Sequence, residues 1–181
     1  MNKEVINMKK SIILIGAPCV GKSTIGKNLQ DILGIKYISS GDIARSMGDD
    51  VNELINSGNL APEEMMRKQI LKIISGDEPF ILDGFPRNLS QLEFLKQNTN
   101  HELIFVVLKA SSLILKNRSL VRGRSDDKSF DKRFTYFMNE YDMVDEICGG
   151  IGYNVAILYN EYNNDMEYNI KHIVRLYSFG A

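Results

Sequence analysis

Short runs of apolar residues alternate along the chain with longer stretches in which apolar positions recur every three or four residues. The short runs predict β-strands, because a strand buried on both faces of a parallel sheet is apolar at successive positions. The longer stretches predict amphipathic helices. Strands are predicted over 11–15, 37–38, 79–82, 102–108 and 154–158, and helices over 21–33, 41–47, 50–57, 62–75, 88–97, 111–120, 129–147 and 165–177. This alternation predicts a three-layer α/β/α fold around a five-stranded parallel sheet.

Length and composition are those of a single globular domain. The chain has 181 residues, of which 44% are hydrophobic and 25% are charged, so it can bury a core. Lys and Arg number 22, and Asp and Glu number 23, which leaves a net charge of −1. That charge provides no general attraction for nucleic acid or anionic lipid. An anionic ligand must therefore be bound by a local group of cations.

Cysteine content and hydropathy bear on the location of the protein. Cys19 and Cys148 are too few and too far apart for a disulfide framework or a zinc site, and they favour a reducing compartment. The longest apolar run, residues 12–15, is much shorter than a membrane span, and residues 1–10 lack the apolar core of a signal peptide. We expect a cytoplasmic monomer without zinc that binds neither membranes nor nucleic acid.

Residues 16–23, Gly-Ala-Pro-Cys-Val-Gly-Lys-Ser, match the phosphate-binding pattern G-x-x-x-x-G-K-[ST]. A predicted strand precedes this loop and a predicted helix follows it, which is the context that phosphate binding requires. Loop amides and the helix N-terminus bind phosphate oxygens. Lys22 would reach the β and γ phosphates, and Ser23 would ligate Mg²⁺. The pattern indicates nucleotide binding without specifying the reaction.

A second group of candidate residues follows the predicted strand at 79–82. Asp83 would emerge at the edge where open α/β sheets bind ligands, positioned to hold Mg²⁺ or its waters. Gly84 allows a ligand to approach the backbone, and Pro86 stiffens the turn that presents Arg87. The Arg87 guanidinium can bind a phosphate through two parallel hydrogen bonds. A surface salt bridge is the alternative for Arg87.

A cluster of arginines accompanied by two aspartates follows the fourth predicted strand: Arg118, Arg122, Arg124, Asp126, Asp127 and Arg133. A mobile arginine cluster could neutralise the charge of a γ-phosphoryl group during its transfer. Closure of such a lid would also exclude water, which would otherwise act as a wasteful acceptor. The alternative is the solvated, charged face of a helix, although Gly123 interrupts that pattern.

Four segments, in this order, resemble the adenylate kinase family of nucleoside monophosphate kinases, of the short-lid type. They are residues 16–23; residues 39–45, Ser-Ser-Gly-Asp-Ile-Ala-Arg; residues 82–87, Leu-Asp-Gly-Phe-Pro-Arg, with Gln91; and residues 123–127, Gly-Arg-Ser-Asp-Asp. The third segment is more specific to this family than the phosphate loop. The resemblance implies a P-loop NTPase-like fold with a single domain over 1–181, an acceptor-binding insertion over 39–68 and a short lid over 119–130.

The resemblance also implies roles for individual residues. ATP would contact Gly16, Ala17, Pro18, Cys19, Val20, Gly21, Lys22, Ser23, Thr24, Arg118 and Arg122. AMP would contact Ser40, Gly41, Arg45, Leu60, Gly84, Arg87, Gln91 and Arg124. Catalysis would depend on Lys22, Arg87, Arg124 and Arg133, while Ser23 and Asp83 would hold Mg²⁺. Because the family's Lys-Gly-Thr is Lys22-Ser23-Thr24 here, the hydroxyl that meets the metal is left open.

Two regions depart from the family pattern. The lid lacks residues between Arg122 and Arg124 and between Asp127 and Arg133. At roughly 100° per helical residue, the loss of two residues would turn Arg133 by about 200° unless the loop absorbs the change. The C-terminal loop carries asparagines at 163–164 where the family has a glycine near the adenine of ATP.

The implied reaction is the reversible, Mg²⁺-dependent transfer of the γ-phosphoryl group of ATP to AMP, which gives two ADP. A glutamine amide can both donate and accept, so Gln91 can pair with the adenine edge. Family members that act on pyrimidine monophosphates commonly carry asparagine at the position of Gln91 and alanine at that of Ser40. A UMP or CMP kinase of the same fold is one alternative, and a nucleotide-binding regulator with little or no kinase activity is another.

Overall fold

Five parallel strands form the centre of the molecule. The computed structural model describes residues 9–123, 129–150 and 152–179. In chain order, the strands are β1 (Lys10–Gly16), β2 (Lys36–Ser39), β3 (Phe80–Asp83), β4 (Glu102–Lys109) and β5 (Asn154–Tyr159). They lie in the order β2-β3-β1-β4-β5, and every neighbouring pair is parallel. The predicted five-stranded parallel sheet is confirmed.

Helices connect the strands and cover the sheet. Within the described residues they are α1 (Lys22–Leu33), α2 (Ser40–Arg45), α3 (Asp49–Asn56), α4 (Glu63–Ile74), α5 (Leu89–Gln97), α6 (Ser112–Arg122), α7 (Phe130–Asn139), α8 (Asp142–Gly149) and α9 (Asn163–Phe179). Three of them, α2 to α4, lie between β2 and β3. None of these described helices combines the length and the apolarity that a membrane-spanning helix needs.

The continuous apolar run of β1 is buried on both faces of the sheet. Ile12 and Leu14 belong to one hydrophobic cluster, which also contains side chains of α1, α6 and α9. Ile13 and Ile15 alternate with them and belong to a second cluster, which contains side chains of α4, α5 and α8. Successive side chains of a strand point to opposite faces, so the run is apolar because both faces carry helices. This arrangement gives the predicted three layers.

The single helix predicted over 129–147 is wrong, because the chain forms α7 and α8 with a turn at Tyr141. The Tyr141 N–H donates to the carbonyl of Met138 at 3.3 Å, a tighter turn than an α-helical one. The turn allows Phe130 of α7 to join the cluster that contains α1, while Met143 of α8 joins the cluster on the other face. Apolar periodicity continues through the turn, so the pattern did not reveal it.

The strand order determines where a ligand can bind. From β1 the chain first crosses to one side of the sheet, to β2, and later crosses to the other side, to β4. Connections that diverge in this way leave a crevice outside the carboxyl ends of the strands. Gly16 ends β1 and Asp83 ends β3, and these two strands are hydrogen-bonded neighbours. The two candidate loops therefore begin side by side.

Candidate active site

Two adjoining cavities open outside the carboxyl ends of the strands. The larger cavity borders the phosphate loop and the ends of β1 and β3, and the smaller one extends towards α2, α3, α4 and α5. Among the described residues, seven line both cavities: Ser40, Gly41, Arg45, Leu60, Gly84, Arg87 and Arg133. The cavities are thus two parts of one site, with three arginines at their junction.

The phosphate loop adopts a conformation that depends on glycine. Gly16 has φ +151°, and a Cβ atom there would lie 2.5 Å from the carbonyl oxygen of Leu108 in β4. Lys22 folds over the loop, and its Nζ donates to the carbonyls of Gly16 at 2.8 Å and Ala17 at 3.0 Å. Burial, opposed by Asp83 and reinforced by Arg87 and Arg133, lowers the pKa of Lys22 to about 8. The lysine therefore lacks a sufficient counter-charge and suits an anionic ligand.

The members of the loop are not equally exposed to the larger cavity. Those that line it are Gly16, Pro18, Cys19, Lys22 and Ser23. Ala17 and Val20 are buried beneath the loop, and Gly21 is the N-cap of α1. Thr24 is exposed on the first turn of α1 and does not line either described cavity. Of the two candidate hydroxyls, Ser23 is thus the one at the cavity.

Cys19 is unusual within the loop. Among the described residues it is the only non-glycine residue with a positive φ, at +64°. The left-handed region costs a residue with a Cβ atom roughly 1–2 kcal/mol. The hydrogen-bonded loop and the helix that follows it hold this conformation, with the Cys19 side chain at the cavity wall.

Asp83 has one carboxylate oxygen fixed by a neighbouring strand. The Tyr37 hydroxyl of β2 donates to Oδ2 of Asp83 at 2.6 Å, and Asp83 is buried. Burial and the adjacent carboxylate of Asp83 raise the pKa of Tyr37, so the phenol keeps its proton. Within the described chain, no other residue donates a hydrogen bond to Asp83. Its second oxygen is available to a ligand in the larger cavity.

The oxygen atoms at this position fit a magnesium ion that arrives with a nucleotide. Mg²⁺ prefers hard oxygen ligands, and it usually uses one or two protein groups together with substrate phosphates and waters. Ser23 and Asp83 line the same cavity and supply a hydroxyl and a carboxylate. No three His, Cys, Asp or Glu side chains converge on a metal site in the described parts of the chain. The donors thus suit a metal that depends on the nucleotide for its other ligands.

The turn after β3 presents its carbonyl to two side chains. Gly84 has φ +78°, and a Cβ atom there would lie 2.6 Å from Oγ of Ser40. The carbonyl of Gly84 accepts from Ser40 Oγ and from Arg87 Nε, each at 2.7 Å. The peptide between Phe85 and Pro86 is cis. These bonds orient Arg87 towards the junction of the cavities, and burial, followed by the proximity of Arg133, lowers its pKa.

The smaller cavity combines apolar walls with one buried amide. Its lining includes Ile55, Leu60, Met66 and Phe85, which can cover the faces of a flat ring. Gln91 of α5 is 5% exposed and lies at the same cavity. Its Oε1 accepts the backbone N–H of Arg87 at 2.9 Å. The amide NH₂ is therefore the part of Gln91 that is not committed to Arg87.

Comparison with known proteins agrees with this geometry. The sequence model of the family described as "Adenylate kinase" matches residues 14–150, which include the phosphate loop, the turn after β3 and the arginine cluster. The chain belongs to the adenylate kinase family.

Individual relatives carry the same name. An adenylate kinase of Thermotoga petrophila is 36% identical over 115 residues, which cover 56% of this chain and 52% of that protein. Adenylate kinase 1 of Synechocystis sp. is 34% identical over 134 residues, covering 66% of this chain and 72% of that protein. This chain thus matches only about half the length of the Thermotoga relative.

A solved structure shares the fold at low sequence identity. It is a gluconokinase from Sinorhizobium meliloti, with a TM-score of 0.66 and 14% identity, and the alignment covers 96% of this chain and 98% of that one. At this identity the likeness shows the fold alone, which is a P-loop kinase-like α/β/α arrangement.

The arginines of this adenylate kinase family member differ in their surroundings. Arg122 and Arg133 line the larger cavity, and Arg133 also lines the smaller one, so Arg133 lies at the site. Arg45 lines both cavities and pairs with Asp42 at 2.5 Å. Arg118 lines neither described cavity, because it donates to the carbonyls of residues 160 and 161 at 2.8 and 3.1 Å.

Part of the predicted lid lies outside the described residues. Arg124, Asp126 and Asp127 fall in this segment, residues 124–128. The predictions for Arg124 in catalysis and in AMP binding therefore stay predictions.

Several residues at the site carried no signal in the sequence. Tyr136 and Phe137 of α7 line the larger cavity, yet neither belongs to a motif. Tyr37 acts on Asp83 from 46 positions away. One signal was available for Tyr37, since Gly26 in the interior of α1 indicates a close approach by another group.

Proposed function

We propose that this protein is an adenylate kinase that transfers the γ-phosphoryl group of ATP to AMP and forms two ADP. The observation that carries the proposal is the continuity of two cavities, one with a phosphate loop and one with a buried amide, that meet at Arg45, Arg87 and Arg133. A phosphoryl transferase needs such a junction, because its two substrates must meet in line at the transferring phosphorus.

The donor nucleotide occupies the larger cavity. Loop amides of residues 16–23 and the N-terminus of α1 bind the phosphates of ATP, and Lys22 exchanges its bonds to loop carbonyls for phosphate oxygens. Ser23 and Asp83 hold Mg²⁺ directly or through its waters. When bound, Mg²⁺ neutralises charge on the phosphates during transfer. Arg122 contacts the same end of ATP. A contact of Arg118 with ATP requires this side chain to leave the carbonyls that it binds now.

AMP occupies the smaller cavity. Ile55, Leu60 and Met66 cover the faces of its base, and the NH₂ group of Gln91 donates to a ring nitrogen at the adenine edge. Arg45 and Arg87 bind the α-phosphate, which requires Arg45 to exchange Asp42 for the phosphate. Gly41, Gly84 and Ser40 form the wall between base and phosphate.

Transfer itself requires little covalent chemistry from the protein. The α-phosphate oxygen of AMP is already an anionic nucleophile, so no general base is needed. Lys22, Arg87 and Arg133 neutralise the charge that spreads over the transferring group. The lowered pKa values of Lys22 and Arg87 support this role, because they show that these cations lack a sufficient counter-charge within the protein. Arg124 completes the set from the lid. The lid over 119–130 and the acceptor-binding insertion over 39–68 exclude water when they close.

The surroundings of the enzyme follow from the same proposal. Its partners are ATP, AMP and ADP, and the net charge of −1 is consistent with a protein that does not bind nucleic acid. A monomer in the cytoplasm, comprising one domain over 1–181, stays a prediction.

A UMP or CMP kinase is the second candidate, for one reason. Oε1 of Gln91 already accepts from the backbone of Arg87, which leaves mainly the NH₂ donor for the base. A donor suits the carbonyl oxygen of a pyrimidine as well as a ring nitrogen of adenine. The wall of large apolar side chains and the full-length glutamine favour the purine.

Measurement of ADP formation from ATP with AMP, CMP, UMP and no acceptor separates these proposals. An adenylate kinase gives the highest kcat/KM with AMP. A higher kcat/KM with UMP or CMP than with AMP would show that the protein is a pyrimidine monophosphate kinase instead. Nucleotide binding without turnover on any acceptor would indicate a regulator.

A further inference from the structure

Tyr37 connects an edge strand to the acidic residue at the site. Its backbone N–H donates to Oε1 of Gln30 in α1 at 2.9 Å, so β2 is anchored to that helix. Its hydroxyl donates to Oδ2 of Asp83 at 2.6 Å. Tyr37 does not line either described cavity, whereas Asp83 lines the larger one. Tyr37 therefore acts on a ligand through residues that line the cavity, and Asp83 is the one to which its hydroxyl donates.

Helix α1 has a gap that the tyrosine ring fills. A Cβ atom on Gly26 would lie 2.3 Å from Cε2 and 2.4 Å from Cδ2 of Tyr37. Real atoms do not approach so closely, so the ring can occupy this place only because position 26 is glycine. A glycine in a helix interior lowers helix stability relative to alanine. Gly26 lies four residues after Lys22, on the helix that begins at the phosphate loop.

We propose that Tyr37 is a positioning residue that fixes the Asp83 carboxylate in the orientation in which Oδ1 meets the hydrated Mg²⁺ of a bound nucleotide, and that Gly26 provides the space for it. This proposal rests on the proposed function only in assuming that a magnesium nucleotide binds here. A carboxylate with one oxygen held by a hydrogen bond presents its other oxygen in one direction, as partners behind metal ligands do elsewhere.

The competing partner of Asp83 is Lys22. The two charges attract each other across the cavity wall, and Lys22 now donates to the loop carbonyls instead. Without the Tyr37 hydroxyl, the carboxylate is free to rotate towards the ammonium. After that rotation, Asp83 would no longer offer its oxygen to the metal, and Lys22 would no longer be available to the phosphates. Tyr37 thus keeps two oppositely charged groups available to one ligand.

The variant Tyr37→Phe tests this role, because it keeps the ring and removes only the hydroxyl. Calorimetric titration with Mg·ATP and with ATP in the presence of a chelator measures binding without any turnover. We expect the affinity for Mg·ATP to fall by about tenfold, while the affinity for metal-free ATP changes little. Tyr168→Phe, on the exposed face of α9, is the matched control and should change neither affinity.

The outcomes are distinct from those that test the proposed function. Unchanged Mg·ATP affinity in Tyr37→Phe would overturn the proposal, whether or not the wild type makes ADP. An equal loss for Mg·ATP and metal-free ATP would also overturn it, because Tyr37 would then act on the loop as a whole. If the wild type is active, the Mg²⁺ concentration at half-maximal rate should rise in Tyr37→Phe, with KM for AMP unchanged.

A double-variant comparison tests the part of Gly26. We expect Gly26→Ala to lower the urea midpoint in the wild-type background, because the new methyl group meets the ring. In the Tyr37→Ala background, Gly26→Ala should lower the midpoint much less, or raise it, because alanine favours the helix and only the flexible end of Leu14, with Cδ1 3.1 Å from the new Cβ atom, remains close. An equal decrease in both backgrounds would overturn the claim that Gly26 makes room for Tyr37.

Discussion

The backbone N–H of Arg87 donates to Oε1 of Gln91 at 2.9 Å. Arg87, at the junction of the cavities, is thereby linked to Gln91, whose buried amide lies at the wall of the smaller cavity. Because Gln91 N–H is itself held by Asn88 Oδ1 at 2.9 Å, the start of α5 and the turn before it form one hydrogen-bonded unit. A change at the base edge is thus transmitted to the residue proposed to hold the phosphate.

Gln91→Asn shortens that connection and withdraws the NH₂ group from the base. We expect kcat/KM for AMP to fall by about 10- to 100-fold, since an unpaired buried polar group costs roughly 1–3 kcal/mol. KM for ATP should be almost unchanged, because Gln91 lines only the smaller cavity. Steady-state kinetics with each substrate varied in turn measure both constants. The control is Gln97→Asn, at an exposed position at the end of α5. An equal fall in kcat/KM for AMP in this control would contradict the role of Gln91 at the base.

The buried charge of Lys22 lowers the stability of the folded protein, although the proposed function needs that charge. Burial lowers its pKa from 10.5 to about 8. Between these two values the unfolded chain binds more protons at Lys22 than the folded protein, so the free energy of unfolding increases with pH. Below pH 8, Lys22 is protonated in both the folded and the unfolded chain. The cost of burying its ammonium group then lowers the free energy of unfolding by the largest amount.

Lys22→Met should therefore stabilise the nucleotide-free protein at pH 7, by about 1–3 kcal/mol. The gain should shrink as the pH rises from 8 towards 10.5, since folded Lys22 is then mostly neutral and the unfolded chain also loses the proton above pH 10.5. Urea unfolding of wild type and variant at pH 7 and pH 10 measures the difference. A variant that is less stable than the wild type at pH 7 would contradict the burial of an uncompensated charge.

Lys132 connects α7 to the segment that covers the smaller cavity. Its Nζ donates to the carbonyl of Ser57 at 3.1 Å and to Oδ1 of Asn59 at 2.9 Å. Gly58, between them, is close enough to Lys132 that a Cβ atom would lie 3.1 Å from its Cδ. Adjacent Leu60 lines both cavities, so this contact fixes one wall of the proposed AMP site.

Lys132→Met keeps the length of the side chain and removes its charge. We expect KM for AMP to rise by about three- to tenfold, which corresponds to the net contribution of about 1 kcal/mol from exposed hydrogen bonds. KM for ATP should stay within a factor of about two, because the proposed phosphate contacts of ATP come from the loop over 16–23, and the two hydrogen bonds of Lys132 are made to Ser57 and Asn59 instead. Lys171→Met, which breaks an exposed pair with Glu167 on α9, is the control. Equal increases in both KM values would show a general loss of structure instead.

From the predicted short lid we expect measurable ATP hydrolysis, in which water accepts the phosphoryl group in place of AMP. The family resemblance implies that residues are missing on both sides of Arg124, so we expect closure over the transferring group to be less complete. We expect a higher ratio of ATP hydrolysis to AMP phosphorylation than in a full short-lid adenylate kinase assayed alongside. Phosphate release and ADP formation give this ratio. Undetectable hydrolysis with turnover on AMP intact would count against the prediction.

Sequence reasoning succeeded where the information is local. Each strand contains a contiguous apolar run, and the phosphate loop is a contiguous motif, so the sheet and the loop could be predicted. The bonds of Tyr37 to Asp83 and of Arg118 to residues 160 and 161 could not, because they join segments that are distant in sequence. The turn at Tyr141 was missed for a different reason: the apolar periodicity of α7 and α8 is continuous, although the two helices pack on opposite faces.

Phosphorus NMR of a reaction that contains ATP, AMP and Mg²⁺ tests the central claim most directly. We predict that the γ-phosphorus signal of ATP is converted mainly into the β-phosphorus signal of ADP, with two ADP formed for each AMP consumed. Lys22→Ala should remain folded and lose at least about 100-fold in rate, since a charge facing the transferring group is removed. The exposed Lys36→Ala should behave as the wild type. Conversion of ATP mainly to inorganic phosphate, or near wild-type turnover by folded Lys22→Ala, would contradict the account.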